Sequence, residues 1–477
     1  MAKFNQAQTI KTANKSGYAA YAMRDKSKLV TQVLTSFFNE KKFYGDNSTE
    51  IQETIKRVID TDPAFVAKLA VFARREFNMR SVSHVLVAYL AHEVNGKPYA
   101  KEAVKAVCLR GDDATEIMAC YISMFGKPIP NSLRRGLKEV VEGFDEYTLA
   151  KYKGDGKSVK MRDLLCLCRP EPKNDEQSAA WKKLLEGTLD PPMTWEVELS
   201  RDGNNKETWE RLIESGKVGY MALLRNLRNI LNAEPDNLDV VLDKLGDPAA
   251  VKKSRQLPFR FLSAYKEVQE IADSRVLDTL ESAVETSIEN TPELSGTTVV
   301  AVDTSGSMGS PVSGKSKVFC YEIGMMLGVM ASKVCEKSYF YTFDTQIRKE
   351  AVSSKSSILE KVSHSYCGGG TRMSLPFEKM IKDGIKADRV IIISDNECNS
   401  SYGWSRKPVQ ALADEYRRLS GNDIWVHAID LQGYGTQQFH GAKTNIIAGW
   451  SEKVLDFIKL AEQGEGTLEK TIEQYTY

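Results

Sequence analysis

The sequence predicts a protein of the α + α/β class, in which a long helical region precedes a doubly wound α/β domain. The chain has 477 residues, more than a single hydrophobic core usually serves. Over about the first 290 residues, apolar side chains recur three and four positions apart, the spacing of amphipathic helices. Beyond that point, strand-like apolar runs alternate with helical segments. We therefore expect one domain over residues 1–292 and a second over 293–477.

The helical region shows its periodicity clearly at Phe65, Leu69 and Phe72. Just before them, Asp62 and Pro63 form the pattern of an N-cap followed by a first-turn proline. Turn-forming residues separate the helices, and strand-like alternation is nearly absent. Helices of roughly 10 to 18 residues joined by short turns are typical of an α-solenoid, a stack of helical repeats. Because no clean sequence period is visible, the repeats must be divergent.

The second region begins with a β-branched run that predicts a strand buried on both faces, Val299–Val302. Further strands are predicted at Ser338–Phe343, Arg389–Ser394, Ile424–Ile429 and, weakly, Asn445–Ala448. Helices are predicted at Val318–Lys333, Ser356–Val362, Ser374–Ile385, Pro408–Leu419 and Ser451–Glu462, the last with Ser451 as N-cap. Residues 463–467 have the composition of a loop.

The overall composition excludes several classes of protein. The formal net charge is +1, so a nucleic acid would have to be bound by local basic patches and not by bulk charge. The chain begins without an apolar segment of signal-peptide length, and no later stretch is apolar enough to span a membrane. We therefore expect a cytoplasmic protein that does not associate with membranes.

The eight cysteines are scattered and form no CxxC pair, which fits reduced thiols. Cys166 and Cys168 lie two positions apart, but a zinc site would need two further ligands at suitable spacing. We expect both to be buried structural thiols.

Small oxygen-bearing side chains follow the first predicted strand of the α/β region. Asp303, Ser305 and Ser307 alternate there, so one carboxylate and two hydroxyls can face a common point. This edge of an open parallel sheet is where ligands usually bind. Thr371, delivered by three glycines, and Asp395, just past the third predicted strand, should reach the same edge. Such oxygen ligands suit a divalent cation, Mg²⁺ by preference, and would leave one position for an acidic group on a partner. The alternative is that the aspartates cap loops and the serines form an ordinary turn.

Catalytic motifs are not evident. The serine-rich turn is not a GxSxG elbow, and His364, His427 and His440 have no clear link to Ser305 or Ser307. His427 lies inside an apolar strand, as core histidines do. The chain contains no GxxxxGK[ST] phosphate-binding loop. We expect no enzymatic activity.

Several motifs together carry a resemblance to a known family. MALLRNL at 221–227, LPFRFLSAY at 257–265, AVDTSGSM at 301–308, GGGT at 368–371 followed by SLP, and SDNE at 394–397 occur in one order. In this the chain resembles the TROVE-module (Ro60) family, in which that module is joined to a C-terminal von Willebrand factor A domain. The resemblance covers nearly the whole chain.

The resemblance implies a fold and a function. The fold would be an α-solenoid of HEAT-like repeats closed into a ring by the doubly wound A domain, and ring closure suggests a monomer. The protein would bind small structured Y-like RNAs on the outside of the ring and single-stranded 3′ ends of misfolded RNAs in its central hole. It would act in RNA quality control within a ribonucleoprotein, and in bacteria an exoribonuclease would be tethered through the RNA. At the metal-ion-dependent adhesion site (MIDAS), Ser305, Ser307 and Thr371 would be direct or near-direct metal ligands, and Asp303 and Asp395 would act mostly through water or by holding the hydroxyls.

By the same resemblance, residues 149–172 match the segment that carries the Y RNA surface. Phosphate contacts need arginine and lysine arrayed on one face. The predicted RNA contacts are Lys151, Lys153, Lys157, Lys160, Arg162 and Arg169, with Arg134 and Arg135 on the preceding helix. Further candidates are Arg225 and Arg228, between the apolar positions of one helix, and Lys252, Lys253, Arg255 and Arg260 downstream. The alternatives are solvated lysines around a helix start for the first set, and packing of the ring for the Arg225 helix.

Two rival hypotheses give the A domain the main role. In one, the chain is a metal-dependent adaptor that binds a partner carboxylate at Ser305, Ser307 and Thr371, and RNA binding is incidental. In the other, the metal has only a structural role and stabilises the loops at which the ring closes.

Overall fold

The structure, a computed structural model, describes residues 11–14, 19–35, 49–192, 194–289, 291–312, 316–353, 355–398, 408–449, 452–463 and 468–477. The chain forms two compact units. The first unit contains Met1–Arg24 and Asp202–Leu468, and the second contains Asp25–Arg201 and Glu469–Tyr477. Neither unit ends at 292, and the predicted division of the chain at that point stays a prediction.

Helices dominate the chain up to residue 288, as the apolar spacing predicts. In chain order, α1 to α17 are Asp25–Leu34, Thr49–Thr61, Pro63–Arg75, Ser81–His92, Lys97–Val107, Gly111–Phe125, Asn131–Val141, Glu146–Lys151, Met161–Cys168, Asp175–Glu186, Trp195–Asp202, Lys206–Glu214, Tyr220–Ala233, Leu238–Gly246, Pro248–Ser254, Pro258–Val268 and Ser274–Ile288. Several are shorter than the predicted 10 residues, because tertiary packing can hold a helix of one or two turns that would not persist alone.

Local sequence explains where these helices start and how closely they pack. The Asp62 carboxylate accepts a hydrogen bond of 3.0 Å from the backbone N–H of Phe65, and Pro63 occupies the first turn of α3. Helices α5 and α7 pack side by side. A Cβ at Gly136 would lie 2.9 Å from the carbonyl oxygen of Lys101, so glycine is what permits this close approach.

The prediction that the first 290 residues are helical throughout is wrong at their start. Strands β1 (Lys11–Ala13) and β2 (Ala19–Ala22) pair antiparallel, and β2 also pairs with β8 (Thr436–Gln437). A two-stranded hairpin is only marginally stable alone, and here the distant strand β8 adds a third strand, which periodicity within the chain cannot show.

The strands of the α/β region form a six-stranded sheet in the order β5-β4-β3-β6-β7-β9. Its strands are β3 (Leu294–Asp303), β4 (Cys335–Phe343), β5 (Ile347–Glu350), β6 (Arg389–Ser394), β7 (Trp425–Asp430) and β9 (Thr444–Ala448). All pairs are parallel except β4 with β5. Strand β5 was not predicted, because its sequence IRKE is polar, as edge strands often are.

The helices of this region are α18 to α22: Cys320–Val334, Ile358–Ser363, Leu375–Lys382, Val409–Ser420 and Asp456–Glu462. A last helix, α23 (Leu468–Gln474), belongs for most of its length to the second unit. A 3₁₀ turn, Glu452–Leu455, precedes Asp456. The predicted N-cap Ser451 and residues 464–467 of the predicted loop lie outside the described residues. The short helix after that loop was not predicted.

The core of the α/β region lies on both faces of the sheet. Val299, Val300 and Val302 are all fully buried, as expected for a central parallel strand. A Cβ at Gly328 of α18 would lie 2.5 Å from a side-chain atom of Val302, so this glycine lets the helix pack directly on β3. Since β3 and β6 are neighbours in parallel, their carboxyl ends meet at one edge of the sheet.

All eight cysteines are free thiols. Cys168 is buried as predicted, but Cys166 is exposed, so the prediction of two buried thiols is wrong for Cys166. The two side chains lie on opposite sides of α9, because positions two apart on a helix do not face the same way. Within the described ranges, no helix has the length and apolar character needed to cross a bilayer.

Candidate functional site

Three hydroxyl groups converge at the carboxyl edge of the sheet. The hydroxyl of Thr371 donates to Ser305 Oγ at 2.9 Å, and Ser305 Oγ lies 3.1 Å from Ser307 Oγ. The sequence places Thr371 far from the two serines, so their meeting is a result of the fold. These are the three hydroxyls that the resemblance assigns as direct metal ligands.

Backbone hydrogen bonds join the loops that carry these hydroxyls. The N–H of Gly306 donates to the carbonyl of Gly369 at 2.9 Å, and the N–H of Gly368 donates to Thr304 at 2.8 Å. Gly369 has φ of +77°, a left-handed conformation that favours glycine. The glycine run therefore brings Thr371 to the serine turn, as the sequence predicts.

Two carboxylates lie beneath the hydroxyls, and both are fully buried. Asp303 accepts hydrogen bonds from the N–H of Ser305 at 2.8 Å and from the hydroxyl of Ser394 at 2.7 Å. Burial raises the pKa of Asp303 to about 7, and the nearby charge of Asp395 adds to this. Burial also raises the pKa of Asp395 to about 6. The role of Ser394 was not predicted, although this residue directly precedes Asp395.

One oxygen of this pair lacks a well-aligned protein donor. Asp395 Oδ1 accepts from the N–H of Glu397 at 3.1 Å, but the buried Oδ2 has no hydrogen-bond partner of normal geometry among the described residues, although the Ser307 hydroxyl is near enough to lower the pKa of Asp395. A buried polar atom without a partner is costly, and an ion is one common way to satisfy it. The residues therefore fit a cation that binds next to Ser305, Ser307 and Thr371.

A third buried acid, Asp430 at the end of β7, was also missed. Its Oδ1 accepts from the N–H groups of Gln432 and Gly433, both at 2.8 Å. Its Oδ2 is a buried atom without a partner in the described part of the chain, and burial raises the pKa of Asp430 to about 6. The available signal was an aspartate at the end of an apolar strand, the same signal that identified Asp303 and Asp395.

The donor set indicates the kind of cation. In the described residues, no three side chains of histidine, cysteine, aspartate or glutamate are grouped so as to hold a metal ion. A cation at this edge would thus depend on hydroxyl oxygens and two carboxylates. Hard ions such as Mg²⁺ prefer that chemistry, whereas zinc prefers nitrogen and sulfur.

A polar cavity of about 650 Å³ lies next to the candidate metal-site loops, Asp303–Ser307 and Gly368–Thr371, and shares Thr304 with them. Arg348, Lys355, Lys361, His364 and Tyr366 contribute to its lining. Arg348 pairs with Asp344 at 2.9 Å and Lys361 with Glu350 at 3.2 Å, whereas the Tyr366 side chain is 72% exposed. The cavity therefore presents cations, hydroxyls and an aromatic ring next to the converging hydroxyls.

The histidines are engaged elsewhere. His427 is buried between Glu462, 3.0 Å from its Nε2, and Asn445, 3.2 Å from its Nδ1, as expected for a core histidine. His364 Nδ1 lies 2.8 Å from the carbonyl of Glu360. These contacts give no arrangement in which a histidine activates Ser305 or Ser307.

The first set of predicted RNA residues is largely exposed, and we call these eight residues the 134–169 patch. Helices α7 and α9 pack together, and the N–H of Met161 donates to the carbonyl of Lys153 at 3.0 Å, which folds the intervening loop back. Acidic side chains partly offset the charge: Lys153 pairs with Asp155 at 2.7 Å and Lys157 with Glu116 at 2.6 Å. Its exposed members are Arg134, Arg135, Lys151, Lys153, Lys157, Arg162 and Arg169, and Lys160 is half-buried.

The second set is more mixed. Arg225 and Arg228 are exposed on α13, but Arg228 pairs with Glu267 at 3.0 Å. Asn226 on the same helix is buried, and its amide is satisfied by donating to the carbonyl of Ala222 at 2.9 Å.

Around the start of α16, Lys252, Lys253 and Arg255 are exposed, and Arg260 is half-buried. Lys252 pairs with Glu289 at 2.8 Å. Burial lowers the pKa of Arg260, and the nearby charge of Arg225 acts in the same direction. The fold thus brings Arg225 and Arg260 close together, although they belong to different helices.

Comparisons with known proteins agree with this architecture. A family model described as the TROVE domain matches residues 22–190 and 179–282, and one described as the Ro60 vWA domain matches residues 297–434. The crystal structure of the Ro (RSR) protein of Deinococcus radiodurans superposes with a TM-score of 0.63 at 18% identity, covering 92% of this chain and 100% of that one. The chain therefore has the fold of that protein.

Curated relatives show the same relationship at the level of sequence. The RNA-binding protein RO60 of Deinococcus radiodurans is 22% identical over 468 residues, which is 86% of either chain. Telomerase protein component 1 of Rattus norvegicus is 26% identical over 322 residues, which is 50% of this chain. The match spans only 12% of that telomerase component's own length. Because the TROVE model matches more than half of the residues, this chain belongs to the TROVE family, and its TROVE module is followed by a von Willebrand factor A domain of the Ro60 type.

Proposed function

We propose that this chain binds a small, structured, Y-like RNA through the 134–169 patch and acts within a ribonucleoprotein in RNA quality control. The observation that carries the proposal is the exposure of seven of the eight predicted basic residues around one folded segment. Exposed lysine and arginine on one face supply phosphate contacts, which dominate the affinity of most nucleic-acid complexes. The Deinococcus radiodurans relative, which aligns with 86% of this chain, is named as an RNA-binding protein. This supports RNA as the class of ligand.

The finer parts of the proposal follow the family resemblance. Single-stranded 3′ ends of misfolded RNAs would be a second ligand, with Arg225, Arg228, Lys252, Lys253, Arg255 and Arg260 as candidate contacts. An exoribonuclease would be recruited through the bound RNA, in the cytoplasm, and the chain itself would have no catalytic activity. Sequencing the RNA that copurifies with the protein from its host tests this directly. Copurified protein free of nucleic acid would contradict it.

Replacing Lys151, Lys153 and Arg162 together by alanine is expected to weaken binding of the copurifying RNA by roughly 10- to 100-fold near 0.1 M salt. If each residue contacts one phosphate, the slope of log K against log salt should fall by about 3. Filter binding across a salt series measures both quantities. A control triple variant with alanine at Lys101, Lys105 and Lys182 removes the same charge from the same compact unit and should bind as the wild type does. Equal effects of the two variants would show that only net charge matters.

A second candidate function is that of a metal-dependent adaptor for a protein partner. The polar cavity beside the candidate metal-site loops favours this function. If a carboxylate of the partner bound the cation, the groups of the partner next to that carboxylate would lie in the cavity. Ser305, Ser307 and Thr371 would hold the cation, and Asp303 and Asp395 would balance its charge. The cation would supply a Lewis-acidic position for the partner carboxylate. Alanine at Asp303 should then abolish capture of the partner and spare RNA binding.

Mg²⁺ is expected to stabilise the wild-type protein, because two buried carboxylates and an unpartnered oxygen favour a bound cation. At a concentration 100 times the dissociation constant, the gain would be about 2.7 kcal/mol. Asp303→Asn keeps an acceptor for the N–H of Ser305 but removes one buried charge. This variant should melt at or above the temperature of the metal-free wild type and lose the response to Mg²⁺.

Thermal melts with and without MgCl₂ measure this effect. A full Mg²⁺ response in Asp303→Asn would contradict the metal site. If the wild type responds to Mg²⁺ but captures no partner, the cation has only the structural role of stabilising the loops.

A further inference from the structure

Cationic and aromatic side chains alternate beside the 134–169 patch, in the order Arg110, Tyr152, Lys151 and Tyr147. The guanidinium carbon of Arg110 lies 5.8 Å from the centroid of the Tyr152 ring. The ammonium of Lys151 lies 5.6 Å from that ring and 5.5 Å from the ring of Tyr147. These distances are within the range of cation–π contact. We call this row of four side chains the 110–152 ladder.

The ladder is accessible and is not required for the core. The Tyr147 side chain is 52% exposed, and Lys151 and Arg110 are also exposed. Leu149 and Ala150 are the residues that α8 buries. An exposed tyrosine ring on a basic surface therefore has a free edge and face, and these can contact a ligand.

Rigid elements hold the inner end of the ladder. A Cβ at Gly111 would lie 2.5 Å from the ring of Tyr152, so glycine at this position lets the ring lie against the start of α6. The N–H of Arg110 donates to the buried carboxylate of Asp113 at 2.9 Å, which fixes the backbone of Arg110. Because Tyr152 and Arg110 are positioned by packing, a ligand that binds them does not have to order them first.

The chemistry of the ladder differs from that of a simple basic patch. Unpaired bases stack on aromatic rings and on arginine planes, and phosphates contact lysine. A base-paired stem presents phosphates but hides the faces of its bases. We propose that the 110–152 ladder binds unpaired nucleotides of a structured RNA, with Tyr147 as the stacking platform, while the 134–169 patch holds the phosphates of the adjoining stem. This inference rests on the proposed RNA function and specifies which part of the RNA is recognised.

The test uses two RNA probes and three variants of the full chain. One probe is a hairpin with a loop of unpaired nucleotides, and the other is a blunt duplex with the same number of phosphates. The wild type should bind the hairpin more tightly than the duplex. Tyr147→Ala should weaken hairpin binding by about tenfold or more and leave duplex binding unchanged. Tyr147→Phe, which keeps the ring, should bind the hairpin as the wild type does.

Tyr99→Ala is the matched control, since Tyr99 is an exposed tyrosine of the same unit outside the ladder, and it should bind both probes normally. The salt slope of Tyr147→Ala should equal that of the wild type, because no phosphate contact is removed. Normal hairpin binding by Tyr147→Ala, with loss of binding in the Lys151, Lys153 and Arg162 triple variant, would overturn the ladder and leave the RNA function standing. A wild type that binds neither probe would instead overturn the proposed function.

Discussion

Alanine at Asp113 is expected to lower the free energy of unfolding of the helical unit that contains it by about 3–5 kcal/mol. The carboxylate is fully buried and accepts five hydrogen bonds. Two come from backbone N–H groups of Leu109 and Arg110, both at 2.9 Å. The others come from side chains: Arg74 at 3.1 Å, His84 at 3.2 Å, and Arg80.

The physical reason for the large effect is the charge that would be left behind. Arg74 is itself buried, so without Asp113 its guanidinium would be a buried cation lacking its carboxylate partner. Burial alone would raise the pKa of Asp113, but the hydrogen bond from His84 and the charges of Arg80 and Arg74 outweigh burial. They hold the pKa of Asp113 well below its ordinary value.

Denaturant unfolding measures this effect, and two further variants make it specific. Asp155→Ala removes an aspartate of the same unit whose ion pair with Lys153 is exposed, so it should cost less than about 1 kcal/mol. Arg74→Met combined with Asp113→Ala should recover part of the lost stability, because no buried cation remains unpaired. Equal costs for Asp113→Ala and Asp155→Ala would show that the buried network contributes little.

Glutamine at Glu462 is expected to destabilise the α/β region by roughly 2–3 kcal/mol at pH 7. The Glu462 carboxylate accepts hydrogen bonds from Arg389 at 2.6 Å and 2.8 Å, and lies 3.0 Å from His427 Nε2. Burial alone would raise the pKa of Glu462, but these hydrogen bonds, from His427 and from Arg389, lower it to about 2. The ionised carboxylate is therefore stabilised by the folded state.

The sign of the pH dependence follows from this lowered pKa. A carboxylate whose pKa is lower in the folded than in the unfolded state adds stability above its unfolded pKa, here about 4.5. That contribution is lost as the pH falls from there to about 2. The difference in unfolding free energy between wild type and Glu462→Gln should thus be constant above about pH 5 and shrink below it. Urea unfolding at a series of pH values measures it, and a difference that grows in acid would contradict the assignment.

Local patterns were sufficient where a segment's own residues decide its structure. The strand Arg389–Ser394 was predicted with the bounds it has, because its apolar run can only be satisfied by burial on both faces. The turn Asp303–Ser307 and the glycine run before Thr371 were also recognisable, since small oxygen-bearing side chains and glycines have few other uses at the end of a buried strand.

Contacts between distant segments could not be predicted in the same way. The sequences of β5 and β2 show no strand pattern. Strand β5 forms by pairing with β4, and β2 pairs with the distant strand β8. Cys166 was assigned to the wrong side of its helix, because the direction a helix faces depends on what packs against it. Ser394 and Asp430 could be recognised as neighbours of the site only from the structure, in which the parallel strands β6 and β7 end side by side.

The sequence by itself determined the order of helices and strands, the oxygen-bearing residues at the edge of the sheet, and the basic segment before Pro170. The tertiary structure alone decided features that no local pattern shows: an unpartnered oxygen on Asp395, and Arg110 over the ring of Tyr152. The reason is physical. Periodicity and capping act over a few residues and are visible in the chain, whereas burial and electrostatic environment depend on packing between elements far apart in it.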